Sequence, residues 1–222
     1  MVKNLQEDLI LRWTYHSNAI EGNTLTLLET KVVLEGITVG GKALREHFEA
    51  INHREAIYYI EEIIRKEEPF SEWQIRNIHQ LILKNIDDNN AGRYRQQNIL
   101  ISGASKAPPD YTLLNEKMAQ LIEWYNTKAN QLHPIERAAK VHADFVGIHP
   151  FIDGNGRTSR LLMNLELMKS GYPPCVITVK NRLAYYEALD QWMAFDNTQP
   201  FIQFVSDAVI EGFRPYQVVL GI

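Results

Sequence analysis

Apolar positions recur at helical spacing through most of the chain. Near the start, Leu9, Trp13, Ser17 and Ile20 fall on one face, and Trp73, Ile75, Ile78, Leu81 and Ile82 trace a second stripe. Pro134 suits a helix N-terminus, and Ile135, Ala138, Ala139, His142, Phe145 and Val146 follow at spacings of three and four as far as Gly147. Pro150 predicts an extended backbone at His149, and residues 153–156 are types that favour turns and left-handed conformations. A second helix is predicted from Arg157, carrying the apolar-rich run RLLMNLELMK, and Gly171, Pro173 and Pro174 close it. The segment RLAYYEALDQWMAF reads as another helix. One stretch breaks the pattern: QNILISG at 97–103, followed by Pro108 and Pro109, reads as a short strand or hairpin tip. The expected fold class is all-α with one small β element, without repeats, low-complexity runs or flexible linkers.

Composition narrows the partners. With 222 residues, 45% of them hydrophobic and 10% aromatic, the chain can bury a sizeable core, and one domain over 1–222 is expected. Its 23 basic and 27 acidic residues are interspersed and give a net charge of -4, with no basic block to suit a nucleic acid. No apolar run approaches membrane-spanning length. Cys175 alone excludes an internal disulfide framework and a cysteine zinc site. The start MVKNLQEDLI carries acidic residues where a signal peptide would be apolar, so a cytoplasmic location is expected.

Candidate chemistry is concentrated in residues 149–160, HPFIDGNGRTSR. A GNG loop entering a helix exposes backbone N–H groups with little side-chain bulk, where the helix dipole adds partial positive charge. Gly154, Asn155 and Gly156 therefore make an anion cradle. Arg157 and Arg160 stand three residues apart in the first helical turn, where cations oppose the dipole, so a negative ligand is required; guanidinium groups fork well onto polyphosphate oxygens. Asp153 supplies a carboxylate for Mg²⁺, which usually takes only one or two protein carboxylates. His149, with an ordinary pKa of about 6.5, can accept the proton of an attacking hydroxyl. A metal cluster of His142, Asp144, His149 and Asp153 is the rival reading. It is disfavoured because His142 lies on an apolar face and the two arginines would repel the ion.

HPFIDGNGRTSR matches without departure the HxFx(D/E)GNGRxxR signature of Fic-domain proteins (filamentation induced by cyclic AMP), so the chain resembles that family. GRYRQQNILISGASKAPP resembles the family's flap, GYPP and RLAYYEAL its segments after the signature, and SNAIEGNTLTL its N-terminal inhibitory helix. The resemblance thus runs from about Ser17 to about Pro215. It implies a Fic-type helical domain with a small β-hairpin flap at about 96–108, an inhibitory helix at about 5–22 and a catalytic loop at 149–160.

The activity implied by the resemblance is AMPylation, the transfer of AMP from ATP to a Ser, Thr or Tyr hydroxyl of a protein. His149 is then the base, and Asp153 the ligand of Mg²⁺, with Mn²⁺ as a substitute. Gly154, Asn155 and Gly156 cradle the phosphates near the reacting centre, Arg157 and Arg160 hold the outer phosphates, and Phe151 anchors the loop in the core. Tyr186 and Leu189 resemble adenine-pocket positions. Asn98, Ile99, Leu100 and Ile101 offer either an exposed edge that docks the target as an added strand or, from pattern alone, a core strand; the resemblance favours docking. Ser17 and Glu21 stand one helical turn apart ahead of Gly22 and Asn23, a plausible helix end, so Glu21 projects where the dipole disfavours a carboxylate. In the family this Glu pairs with the second signature arginine, here Arg160, and blocks the outer phosphate. The partners implied are ATP and a target protein with an acceptor hydroxyl, and self-modification and a homo-oligomer are compatible with them. Two alternatives stay open: removal of AMP with Glu21 orienting a water, and a non-enzymatic nucleotide-binding module.

Overall fold

The structure of the chain, a computed structural model, describes residues 2–221. Nine α-helices make up its framework among those residues. They are α1 (Val2–Ile20), α2 (Leu27–Leu34), α3 (Leu44–Arg65), α4 (Glu72–Leu83), α5 (Leu114–Lys128), α6 (Pro134–Ile148), α7 (Asn155–Lys169), α8 (Arg182–Phe195) and α9 (Gln199–Leu220).

The centre is α7, buried on every side from Asn155 to Leu167 apart from Gly156, and packed most extensively on α6. One core lies where α6 and α7 meet α3 and α4, built from Ile57, Ile60, Ile63, Ile75, Ile78, Ile82, Phe145, Phe151 and Leu161. A second lies where the same pair meets α8 and α9, with Ile20, Ala139, Met163, Leu167, Tyr185, Leu189, Phe201 and Val205. A helix enclosed in this way must satisfy its polar side chains internally. Asn164 exchanges hydrogen bonds with the backbone of Cys175, donating to its carbonyl at 3.0 Å and accepting from its N–H at 2.7 Å. The buried Glu166 carboxylate accepts from Tyr125 at 2.6 Å and Arg137 at 2.9 Å.

Element ends follow local chemistry. Thr26 and Glu29 form a reciprocal capping box at the start of α2, and Ser71 caps α4. Gly171 takes φ 81° after α7 and Gly22 takes φ 98° after α1, the left-handed closures expected of glycine there.

Three expectations are corrected. Trp73 is not on the buried stripe of α4 but 64% exposed. Two residues span about 200° of a helix, so Trp73 lies opposite Ile75. His149 is not extended but left-handed, at φ 49° and ψ 59°. Pro150 excludes only the right-handed region before it, and the cap that ends α6, with the His149 N–H donating to Phe145 O at 3.1 Å, selects the left-handed one.

The third correction concerns the flap: no strand forms over 96–108, nor anywhere among the described residues. The segment is an ordered loop in which side chains replace a ladder. Asn98 donates to Asp110 at 2.7 Å and accepts from the Tyr111 N–H at 2.9 Å, while a turn joins the Ala104 N–H to Ile101 O at 3.2 Å. Ser105 donates twice to Asp190 of α8, from N at 2.8 Å and Oγ at 2.6 Å. Pro108 and Pro109 on the returning limb have no N–H to contribute to a hairpin. Leu100 stands 87% exposed, so Asn98–Ile101 is not a core strand either.

Candidate active site

The loop between α6 and α7 is held from inside. Phe151 is fully buried and its ring stacks on His79 of α4, with centroids 3.5 Å apart and planes 2° apart. Asn155 turns its side chain back onto the loop, donating to Phe151 O at 2.9 Å and accepting from the Phe151 N–H at 3.0 Å. What Asn155 can offer an anion is therefore its backbone N–H, one of the first-turn donors that lack a partner within the helix. Phe151→Ala is expected to cost about 3–5 kcal/mol in urea unfolding, because it opens a cavity beneath the loop.

His79 also accepts from the Gly92 N–H at Nδ1 (2.9 Å), so its proton sits on Nε2 and is donated to Asp153 O at 2.8 Å. Burial lowers its pKa to about 4. Acid should therefore destabilise the fold. Below the ordinary value of 6.5 the unfolded chain takes up a proton that native His79 refuses until about 4. The loss between pH 7 and 4.5 is roughly 2–3 kcal/mol from this residue, read as the pH slope of the urea midpoint that His79→Gln flattens.

A cavity of about 570 Å³ opens at the mouth of this loop. It gathers Glu21, His149, Gly156, Arg160, Tyr186 and Leu189 with Ile101 of the flap. The His149 ring has Nδ1 3.2 Å from Val146 O; a carbonyl can only accept, so Nδ1 carries the proton and Nε2 is left as an acceptor. Burial depresses the His149 pKa; the Val146 bond opposes that, Arg95 adds to it, and Glu21 and Asp153 oppose it.

Arg160 is buried at the back of the cavity. It donates to Ser17 Oγ (3.1 Å), Ser17 O (2.8 Å) and Glu21 Oε1 (2.7 Å), so the end of α1 closes over it. Tyr185 lies 3.5 Å from its Nη1 and 3.0 Å from Nε2 of the buried His142, which Ser159 also contacts at 3.1 Å. Gly156 faces Glu21 so closely that a Cβ there would overlap the Glu21 carboxylate and sit 3.1 Å from Arg160 Nη1.

Asp153 and Arg157 do not line this cavity. Arg157 is 2% exposed, with Nη2 3.3 Å from Asp153 Oδ1 and Nη1 3.3 Å from Glu49 of α3. Its Nε and Nη1 have no hydrogen-bond acceptor among the described residues. Asp153 Oδ1 also accepts from the Gly154 N–H at 2.6 Å, and Oδ2 pairs with Arg45 of α3. Burial works to raise the Asp153 carboxyl, but Arg157, the Gly154 N–H and Arg45 outweigh it and hold it below the usual range. Gly154, at φ 76°, packs against His79 and Ile82. Arg45, Glu49, His79, Arg95 and Tyr185 carry no signal of their place here in the sequence, since lone charges and aromatics on helices are usually surface or core.

Comparison with known proteins fits this geometry. Residues 69–167 match the model of the Fic/DOC family. A protein adenylyltransferase Fic of Nematostella vectensis is 41% identical over 208 residues, covering 92% of this chain and 48% of that protein. The fic-1 protein adenylyltransferase of Caenorhabditis elegans is 36% identical over 209 residues, covering 92% and 41%. The chain thus spans about half the length or less of the curated relatives it matches. The crystal structure of a Fic domain containing signaling protein from Bacteroides thetaiotaomicron superposes with a TM-score of 0.91 at 30% identity, covering 99% of this chain and 90% of that one. A Fic-1 fragment from C. elegans gives a TM-score of 0.85 at 35% identity, covering 95% and 63%. Signature, fold and relatives agree: the chain belongs to the Fic/DOC family.

Proposed function

We propose that the chain is a protein adenylyltransferase that moves AMP from ATP to a hydroxyl of a target protein and is restrained by its own Glu21. The observation that carries the reading is the meeting of an imidazole with an open Nε2, the first turn of α7 and the buried Arg160 on one cavity. The acceptor hydroxyl attacks the α-phosphorus, its proton passes to His149 Nε2, and the bond to the bridging oxygen of pyrophosphate breaks. The first-turn N–H groups of Asn155 and Gly156 are the donors left for the charge that develops, which is where pre-placed donors contribute most, while the Gly154 N–H is taken by Asp153 Oδ1 and shapes the loop. Arg160 takes an outer phosphate once Glu21 leaves, and the Nε of Arg157, which has no acceptor among the described residues, suits a second phosphate oxygen, its Nη1 and Nη2 being paired with Glu49 and Asp153. Tyr186 and Leu189 flank the base.

The Asp153 carboxylate is 43% exposed, and among the described residues its Oδ2 is held only by the half-exposed Arg45, so its donor chemistry fits Mg²⁺ or Mn²⁺. Such an ion would neutralise phosphate oxygens when bound. The flap offers Ile99, Leu100 and Ile101 to the target, with Asn98 committed to holding the loop's shape. A second reading has one observation behind it: the Glu21 carboxylate shares the cavity with His149, a place from which it could orient a water to release AMP.

Mass spectrometry tests both. The Glu21→Gly chain, incubated with ATP, Mg²⁺ and cell lysate, should produce adducts of AMP mass on other proteins or on itself. Nucleotide binding without any adduct would leave a binding module instead, and Glu21-dependent release of AMP from a modified protein would establish the reverse reaction.

A further inference from the structure

Arg95 has no part in the chemistry above, yet its environment is unusual. It is 4% exposed and makes no ion pair within 4 Å among the described residues. An arginine buried without a carboxylate bears a large desolvation penalty unless its donors are all used. Here they go to backbone carbonyls. Nε donates to His149 O at 2.9 Å, Nη1 to Gln97 O at 2.9 Å and Nη2 to Pro109 O at 2.6 Å. Its own N–H adds a bond to Pro150 O at 2.9 Å. One residue therefore joins the outgoing limb of the flap (Gln97), the returning limb (Pro109) and both residues at the turn out of α6.

We propose that Arg95 is a positioning residue, whose guanidinium ties the two limbs of the flap to the His149 backbone and fixes the docked acceptor relative to the base. The inference rests on the transferase reading. Two features give it force. The flap has no strand ladder of its own, so its stem geometry depends on these side-chain bonds and on the Asn98–Asp110 and Ser105–Asp190 contacts at its neck and far side. His149 holds a left-handed backbone, which a non-glycine residue keeps only when its surroundings fix it. A carbonyl bond to a buried cation does so at the residue itself.

The experiment compares Glu21→Gly alone with the same chain carrying Arg95→Met or Arg95→Lys. Three quantities are read: AMP transfer to self or to lysate protein, ATP affinity by calorimetry, and the titration midpoint of the His149 imidazole by NMR, its signal identified by loss in His149→Ala. Arg95→Met should lower transfer at least 30-fold, in line with the cost of misplacing reacting groups by about 1 Å. ATP affinity should stay within about threefold, because Arg95 does not face the cavity that holds Gly156 and Arg160. The midpoint should rise, since a positive charge leaves and water enters. The other groups facing the ring are the Val146 carbonyl and Asp153, both unchanged, and Glu21, absent from all three chains.

Arg95→Lys keeps the charge but cannot fork onto three carbonyls. It should hold the midpoint near the parent and recover part of the transfer. If Arg95→Met melts below the assay temperature, Arg95→Lys carries the test through partial loss of transfer at intact ATP binding. Parent-level transfer in the variants, loss of ATP binding in step with transfer, or an unmoved midpoint in Arg95→Met would overturn the assignment. A parent that binds ATP but transfers nothing would count against the transferase reading, and the imidazole titration alone would then decide on Arg95.

Discussion

Replacing His149 by Ala in a Glu21→Gly background is expected to lower AMP transfer by about 10²–10⁴-fold, the usual share of a positioned base. ATP binding should change little, because the proposed phosphate contacts are the first turn of α7 and Arg160 rather than His149. Quantitative mass spectrometry of adduct formation checks the first part, and calorimetric titration with ATP the second. The pH dependence has a definite sign. Only the neutral imidazole can take the proton, and burial holds the His149 pKa below its ordinary 6.5. Transfer should therefore persist through neutral pH and fall only as acid reaches below that value. A rate that declined between pH 8 and 7 would contradict His149 as the base.

The second large effect is release. Glu21→Gly removes the carboxylate that lies 2.7 Å from Arg160 and should raise transfer by about 5- to 150-fold, the range of a 1–3 kcal/mol coupling. The same change should lower the melting temperature without nucleotide, because the guanidinium of Arg160, 3% exposed, loses its anion. ATP should restore it, with a thermal shift larger than in the unaltered chain. Equal shifts in the two chains would show that Glu21 does not compete with a phosphate.

Much of this fold is legible in the sequence, for reasons of period. The segment RLAYYEALDQWMAF is α8 residue for residue, and α6 begins at Pro134. Apolar spacing of three and four has one reading once the stretch is long enough. The flap fails the same test because a strand is defined by its partner, and three apolar residues do not encode one. His149 fails because a proline excludes one backbone region without choosing among the rest. In the site, contiguous residues are easy to find, while the contributors that arrive from elsewhere are not. Arg45 and Glu49 sit one turn apart on α3, a spacing that reads as a surface ion pair, and only the packed chain turns them toward Asp153 and Arg157. Arg95 stands two residues past Arg93 in a polar stretch, with nothing in the pattern to say which is buried.

The bare α-carbon at Gly156 has one more consequence. The hollow it leaves admits the Glu21 carboxylate and, by the reading above, is also where the nucleotide must come. On that reading inhibitor and fuel compete for a single vacancy, and a methyl group added there should evict both together. A chain under pressure to keep its nucleotide keeps the berth for its brake without separate selection, so escape from restraint is open through changes at Glu21 and closed through changes at Gly156.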